Sequence, residues 1–114
     1  MSDNNLVTDN MVSAALQYLA VNTQAAAKAK ADRVMAEHQR KRVLAGEILA
    51  SEQSSFAMKE AEALASAAYK LACEAEAMAV EQDEYHRAAR AKADALISAW
   101  QTERANIRAA ERIR

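Results

Sequence analysis

The sequence predicts an all-α protein: a long helical hairpin, that is, an antiparallel coiled coil, with a short N-terminal helix, assembling into a helical bundle. The 114 residues include one glycine and no proline, which leaves almost no material for strands and tight turns. Aromatic residues make up 4% of the chain and alanine dominates its 52% hydrophobic content, which suits closely packed helices. Residues 66–112 favour helix at nearly every position and would form a helix about 70 Å long.

The first segment, residues 1–23, is predicted to be the short N-terminal helix and its capping residues. Thr8 or Asp9 can cap this helix, and Asn22 and Thr23 are expected to end it. Apolar residues at three- and four-residue spacing give it one apolar face. They include Met11, Val12, Leu16 and Leu19. This face either packs on the bundle or docks on another protein.

The remaining segment, residues 24–114, is predicted to be the hairpin. It divides into a helix over 24–53, a connection over 54–65 that contains a short helix, and the long helix over 66–112. Serines mark both boundaries, because serine caps helices and competes with their internal hydrogen bonds.

Both long helices carry alanine and larger apolar residues at alternating four- and three-residue spacing, which predicts a packing seam on each. The first seam is Ala27, Ala31, Val34, His38, Ala45 and Ile48. The second is Leu71, Ala75, Met78, Gln82, Tyr85, Ala89, Lys92, Leu96 and Ala99. Each buried alanine contributes little at about 25 cal/mol per Å², so we expect a homodimer or a higher homo-oligomer.

The formal net charge of -1 hides three blocks of different sign. Residues 1–53 carry six basic and six acidic groups, residues 54–84 carry two and seven, and residues 85–114 carry seven and three. A chain that folds back within the connection brings the basic cluster of the first helix against the acidic part of the second. The cluster is Arg40, Lys41 and Arg42, and the acidic residues opposite are Glu74, Glu76 and Glu81. Such pairs set register more than stability.

The single cysteine, Cys73, excludes an internal disulfide and fits a reducing compartment. The N-terminus lacks the basic and apolar regions of a signal peptide, and no apolar run approaches the length of a membrane span. We expect a soluble cytoplasmic protein without membrane association.

Two basic patterns fit either nucleic acid or an exposed helix face. The first is Arg40, Lys41 and Arg42; the second is Arg104, Arg108 and Arg112 at four-residue intervals, with Trp100 beside them to stack on unpaired bases. Cations near a helix C-terminus are also favoured by the helix dipole, so the second pattern has a purely structural interpretation.

No pattern indicates catalysis. Asp83 and His86 are spaced by three residues, as in half of the Glu-x-x-His pattern of di-metal bundles, but no second pair accompanies them. Cys73 has no glycine-containing elbow or phosphate-binding loop near it. We expect no enzymatic activity, metal, cofactor or small-molecule substrate.

Several motifs after residue 53 carry a resemblance. They are Ser54-Ser55, the acidic run Lys59-Glu60-Ala61-Glu62-Ala63, Ser66-Ala67-Ala68-Tyr69, and Ile97-Ser98-Ala99-Trp100 followed by Glu103, Ala105-Asn106 and Arg108-Ala109-Ala110-Glu111-Arg112. On these residues the chain resembles a group of small, mostly uncharacterised proteins of tailed bacteriophages, often encoded among early recombination and replication genes. Its relatives often have Ser-Pro-Glu-Tyr where Ala67 replaces the proline here. The resemblance implies a phage origin and a helical hairpin, not an activity.

We therefore predict a non-enzymatic phage accessory protein in the cytoplasm of the bacterial host. It binds a protein, as an inhibitor or adaptor of a host or phage DNA-metabolism or defence protein. The predicted contacts are Met11, Val12, Leu16, Leu19, Glu74, Glu76 and Glu81. The alternative is a nucleic-acid-binding accessory factor in phage recombination or replication, which would use the two basic patterns and Trp100. A structural virion component is the second alternative.

Overall fold

The fold is a helical hairpin, which confirms the predicted class. The computed structural model describes residues 7–113, in which 92% of the chain is helical and no strand forms. The helices are α1 (Asp9–Ala50), α2 (Phe56–Leu64) and α3 (Ala67–Ile113), and α1 packs against α3. Expectations for residues 1–6 and 114 lie outside the described residues.

The predicted end of a first helix at Asn22 and Thr23 is wrong, because α1 runs without interruption from Asp9 to Ala50. The Asn22 Nδ2 donates to the carbonyl oxygen of Tyr18 at 3.1 Å, and the Thr23 Oγ1 donates to that of Leu19 at 2.6 Å. Both side chains therefore bond back onto the preceding turn, an arrangement that keeps them inside a helix. The segment predicted as a separate short helix is the first part of α1.

Capping side chains mark the starts of the three helices, as predicted, whereas α1 ends at Ala50 and not at the predicted residue 53. The Thr8 Oγ1 accepts a hydrogen bond from the Met11 amide at 3.2 Å, which makes Thr8 the N-cap of α1. Ser55 caps α2 in the same way. Ser66 caps α3, since its Oγ accepts from the Tyr69 amide at 3.1 Å and donates to the Ala63 carbonyl at 2.7 Å.

The described chain divides into two compact units. One, here called the terminal unit, contains residues 7–25 and 86–113, and the other, the turn unit, contains residues 26–85. In the turn unit α1 and α3 are antiparallel, because Arg33 contacts Asp83 while Arg40, further along the chain, contacts the earlier residue Glu76.

The core of each unit is built from small side chains. Buried apolar residues are Val7, Val12, Ala15 and Ala93 in the terminal unit and Ala29 and Ala63 in the turn unit. Across the described residues no large side chain is fully buried. Alanine lets the helix backbones approach closely, but it removes little apolar area from water. Many of the large apolar side chains are exposed and do not belong to either core.

Candidate protein-binding surface

In the turn unit, the residues of α1 that face α3 recur at spacings of three and four residues. They are Ala26, Ala29, Arg33, Ala36, Arg40, Val43 and Glu47, all buried or half-buried. This repeat differs from the predicted seam of α1, whose members Ala27, Ala31, Val34, His38 and Ala45 are exposed. The prediction of that buried face is therefore wrong.

Two arginines in this repeat bind the acidic residues of α3. The Arg40 Nε donates to the Glu76 Oε1 at 2.7 Å, which confirms the predicted meeting of the basic cluster with the acidic segment. The Arg33 Nη1 donates to the Asp83 Oδ2 at 3.1 Å and to the Glu84 Oε2 at 3.0 Å. Hydrogen bonds to Asp83 and Glu84 raise the pKa of Arg33 above its ordinary value. These ion pairs fix the face of α3 that α1 covers.

A row of large apolar side chains lies on the opposite face of α3, and we call it the α3 outer stripe. It consists of Leu71, Met78 and Tyr85, which are 66%, 71% and 64% exposed. Met78 follows Glu76 by two residues and Tyr85 follows Asp83 by two, a rotation of about 200° around a helix. The prediction that the second seam is buried against α1 is therefore wrong at these three positions.

Acidic side chains accompany the α3 outer stripe. Glu74 and Glu81 are exposed and stand three residues after Leu71 and Met78, on the same side of the helix. Neither takes part in an ion pair within the described residues, whereas Glu76 is committed to Arg40. The surface thus combines an apolar row with uncompensated negative charge. That Glu74 and Glu81 contact a partner stays a prediction, whereas Glu76 is held by Arg40 within the chain.

In the terminal unit, the start of α1 is tied to the end of α3 by a cluster around Asp9. The Asp9 Oδ1 accepts from the Trp100 Nε1 at 2.9 Å and from the Arg104 Nη2 at 2.7 Å. The Arg104 guanidinium carbon lies 5.2 Å from the centroid of the Trp100 ring, a cation–π contact. The hydrogen bond from Trp100 and the bond and charge of Arg104 lower the pKa of Asp9.

The apolar residues of early α1 divide between the core and the surface. Val12 is buried and Leu19 half-buried, while Met11 is 38% and Leu16 53% exposed. A groove of about 450 Å³ runs beside them. It is lined by Met11, Ala14, Ala15, Tyr18, Ala89, Lys92, Ala93 and Leu96. Val12 therefore contributes to packing, and Met11 and Leu16 remain accessible.

The predicted nucleic-acid residues belong to different compact units. Arg40, Lys41 and Arg42 belong to the turn unit; Trp100, Arg104, Arg108 and Arg112 belong to the terminal unit. Lys41 pairs with Glu37 at 3.1 Å on its own helix, and Arg42 donates to Gln39 at 3.4 Å. Arg104 and Trp100 hold Asp9, as Arg40 holds Glu76. Arg108 and Arg112 are exposed.

Sequence reasoning missed the roles of Arg33 and Asp9. The available signal for Arg33 was its seven-residue spacing from Arg40, matched by the spacing between Glu76 and Asp83. Asp9 gave no such signal, because its partner Trp100 is 91 residues away in the chain.

In residues 7–113, no three His, Cys, Asp or Glu side chains come together as a metal site requires. None of the helices described is both long and apolar enough to span a membrane. No protein-family model matches the chain, and comparisons with curated proteins and with solved structures found no match.

Proposed function

We propose that this chain is a non-enzymatic protein-binding module whose main contact surface is the α3 outer stripe. The observation that carries the proposal is the exposure of Leu71, Met78 and Tyr85 at seven-residue spacing. That spacing is typical of a helix that packs along another helix, which would remove these exposed apolar side chains from water. More than half of each of these three side chains remains exposed next to the intrachain contact of α1 and α3.

The acidic flank of the stripe defines the kind of partner. Glu74 and Glu81 favour a partner surface that offers apolar residues in a row with lysine or arginine beside them. An amphipathic helix fits the stripe best. Its apolar residues can recur at the same interval as Leu71, Met78 and Tyr85, which is about two helical turns. The accessible residues Met11 and Leu16 provide a second, smaller apolar contact on the terminal unit.

The resemblance to phage proteins extends this proposal to a biological role. We propose an accessory protein of a tailed phage, acting in the host cytoplasm as a homo-oligomer. Its role is that of an inhibitor or adaptor of a host or phage protein of DNA metabolism or defence.

Affinity capture with the full-length chain tests the binding surface. The wild-type protein should retain a specific partner from host lysate, and Met78→Glu should reduce the affinity for the purified partner at least about tenfold, or 1.4 kcal/mol. Ala77→Glu is the matched control, because Ala77 is exposed and about 100° away from Met78 around the helix. Equal affinities of wild type and Met78→Glu for the partner contradict the proposal.

The second candidate function is nucleic-acid binding, favoured by the exposure of Arg108 and Arg112 on one side of α3. Fluorescence anisotropy of labelled single-stranded and duplex DNA, at about 50 and about 200 mM salt, tests it. Salt-sensitive binding that is lost in the double variant Arg108→Ala, Arg112→Ala supports this function. Absence of binding at the lower salt concentration rules it out.

A further inference from the structure

The turn unit carries a second row on the opposite helix, which we call the α1 outer stripe. It consists of Met35, Arg42 and Leu49 at seven-residue spacing, with Met35 60% and Leu49 84% exposed. The α1 repeat that faces α3 contains Arg33, Arg40 and Glu47, and each member of the row comes two positions after one of them. Two positions correspond to a rotation of about 200° around the helix, so the row points away from α3. This stripe is apolar at both ends and basic in the middle.

The two outer stripes are equal in length and opposite in charge. Each extends over fifteen residues, and its first and last residues are about 21 Å apart along the helix axis. The α3 outer stripe is flanked by Glu74 and Glu81, whereas the α1 outer stripe contains Arg42, with Lys41 beside it. Residues 26–50 carry six basic and three acidic groups, and residues 67–85 carry one and five. Opposite charges therefore accompany the two apolar rows.

One copy of the chain cannot pair its own outer stripes, because each lies on the side of its helix that faces away from the other helix. Pairing two α3 outer stripes would bring the glutamates of both copies together, and like charges at an interface are unfavourable. Pairing unlike stripes brings Arg42 of one copy near the glutamates of the other. The chain thus carries both halves of a complementary contact.

We infer that the partner of the α3 outer stripe is the α1 outer stripe of a second copy of this chain. This inference rests on the proposed protein-binding function and names one partner for it. The contact is heterologous, so each added copy leaves one stripe of each kind uncovered. Assembly continues beyond a dimer, or ends where a ring closes.

A complementation experiment tests the contact with full-length protein. Met35→Glu disables the α1 outer stripe only, and Met78→Glu disables the α3 outer stripe only. Light scattering after size exclusion should show a wild-type mass that increases with concentration beyond twice 12.4 kDa, and a monomer for each variant alone. An equimolar mixture of the two variants should give a 1:1 dimer through the one remaining pair of intact stripes.

Specific outcomes overturn the inference. A monomeric wild type at all concentrations does so, as does a mixture that stays monomeric. A dimer of Met35→Glu alone indicates pairing of like stripes and also overturns it. Circular dichroism of each variant checks that helicity is retained, and Ala77→Glu is the matched control that should assemble like wild type.

Charge reversal gives an independent readout. Arg42→Glu should weaken assembly, and combining it with Glu74→Arg and Glu81→Arg in the same chain should restore it. Assembly unaffected by Arg42→Glu contradicts the proposed pairing. A monomeric wild type that still binds another protein through Met78 removes this inference alone, whereas binding unaffected by Met78→Glu removes the proposed function.

Discussion

Replacing Val12 by alanine tests whether the beginning of α1 belongs to the core. Val12 is 7% exposed, so the substitution removes two buried methyl groups, worth about 0.8 kcal/mol each. Alanine favours the helix over valine by up to about 0.7 kcal/mol, which offsets part of that loss. The free energy of unfolding should therefore fall by about 1 kcal/mol.

Val21 provides the matched control in the same helix and the same unit. It is 64% exposed, so Val21→Ala removes the same atoms with little loss of buried area. We expect an unchanged free energy of unfolding or a gain of up to about 0.7 kcal/mol from helix propensity. Urea unfolding followed by circular dichroism, at one protein concentration for all variants, measures both. Equal effects of the two substitutions refute the assignment of Val12 to the core.

Three further predictions concern an ion pair, a pH dependence and a glycine. Arg33→Ala should lower the melting temperature more than Asp83→Ala, because the first leaves a 5% exposed carboxylate unpaired and the second leaves a solvent-accessible guanidinium; equal shifts contradict this. The lowered pKa of Asp9 means that its bonds stabilise the fold fully above the unfolded-state pKa and are lost as pH falls through the lower folded-state pKa. Fluorescence of the single tryptophan, Trp100, should report that acid transition, and Asp9→Asn should abolish it. Gly46→Ala should raise the free energy of unfolding by up to about 1 kcal/mol, because Gly46 is within α1 and nothing lies within 4 Å of an added Cβ; a loss of stability in urea unfolding would show hidden crowding there.

The helices and most of their boundaries could be predicted because they depend on neighbouring residues. Ser55 and Ser66 cap helices through bonds to amides three residues away, so the sequence alone contains the information. The predicted helix end at Asn22 and Thr23 failed because these side chains can either end a helix or bond back to the preceding turn. Packing decides between the two, and the local sequence does not contain it.

The face used by each helix was harder to predict. Alanine is frequent on every side of α1 and α3, so the spacing of apolar residues fits more than one seam. The ion pairs of Arg33 and Arg40 decide between these seams, and they involve residues 36 to 51 positions away in the chain. The residues of the α3 outer stripe belong to the predicted seam of α3, but they are exposed and not buried between the two helices.

Photo-crosslinking from position 78 tests most directly whether the α3 outer stripe binds protein. A photoreactive amino acid replaces Met78 in one full-length variant and Ala77 in a control, and both are irradiated in purified form and in host lysate. Position 78 should give covalent adducts with a second chain in higher yield than position 77, and the adduct mass identifies a second copy or another protein. No adduct from position 78, or equal yields from both positions, would contradict the account.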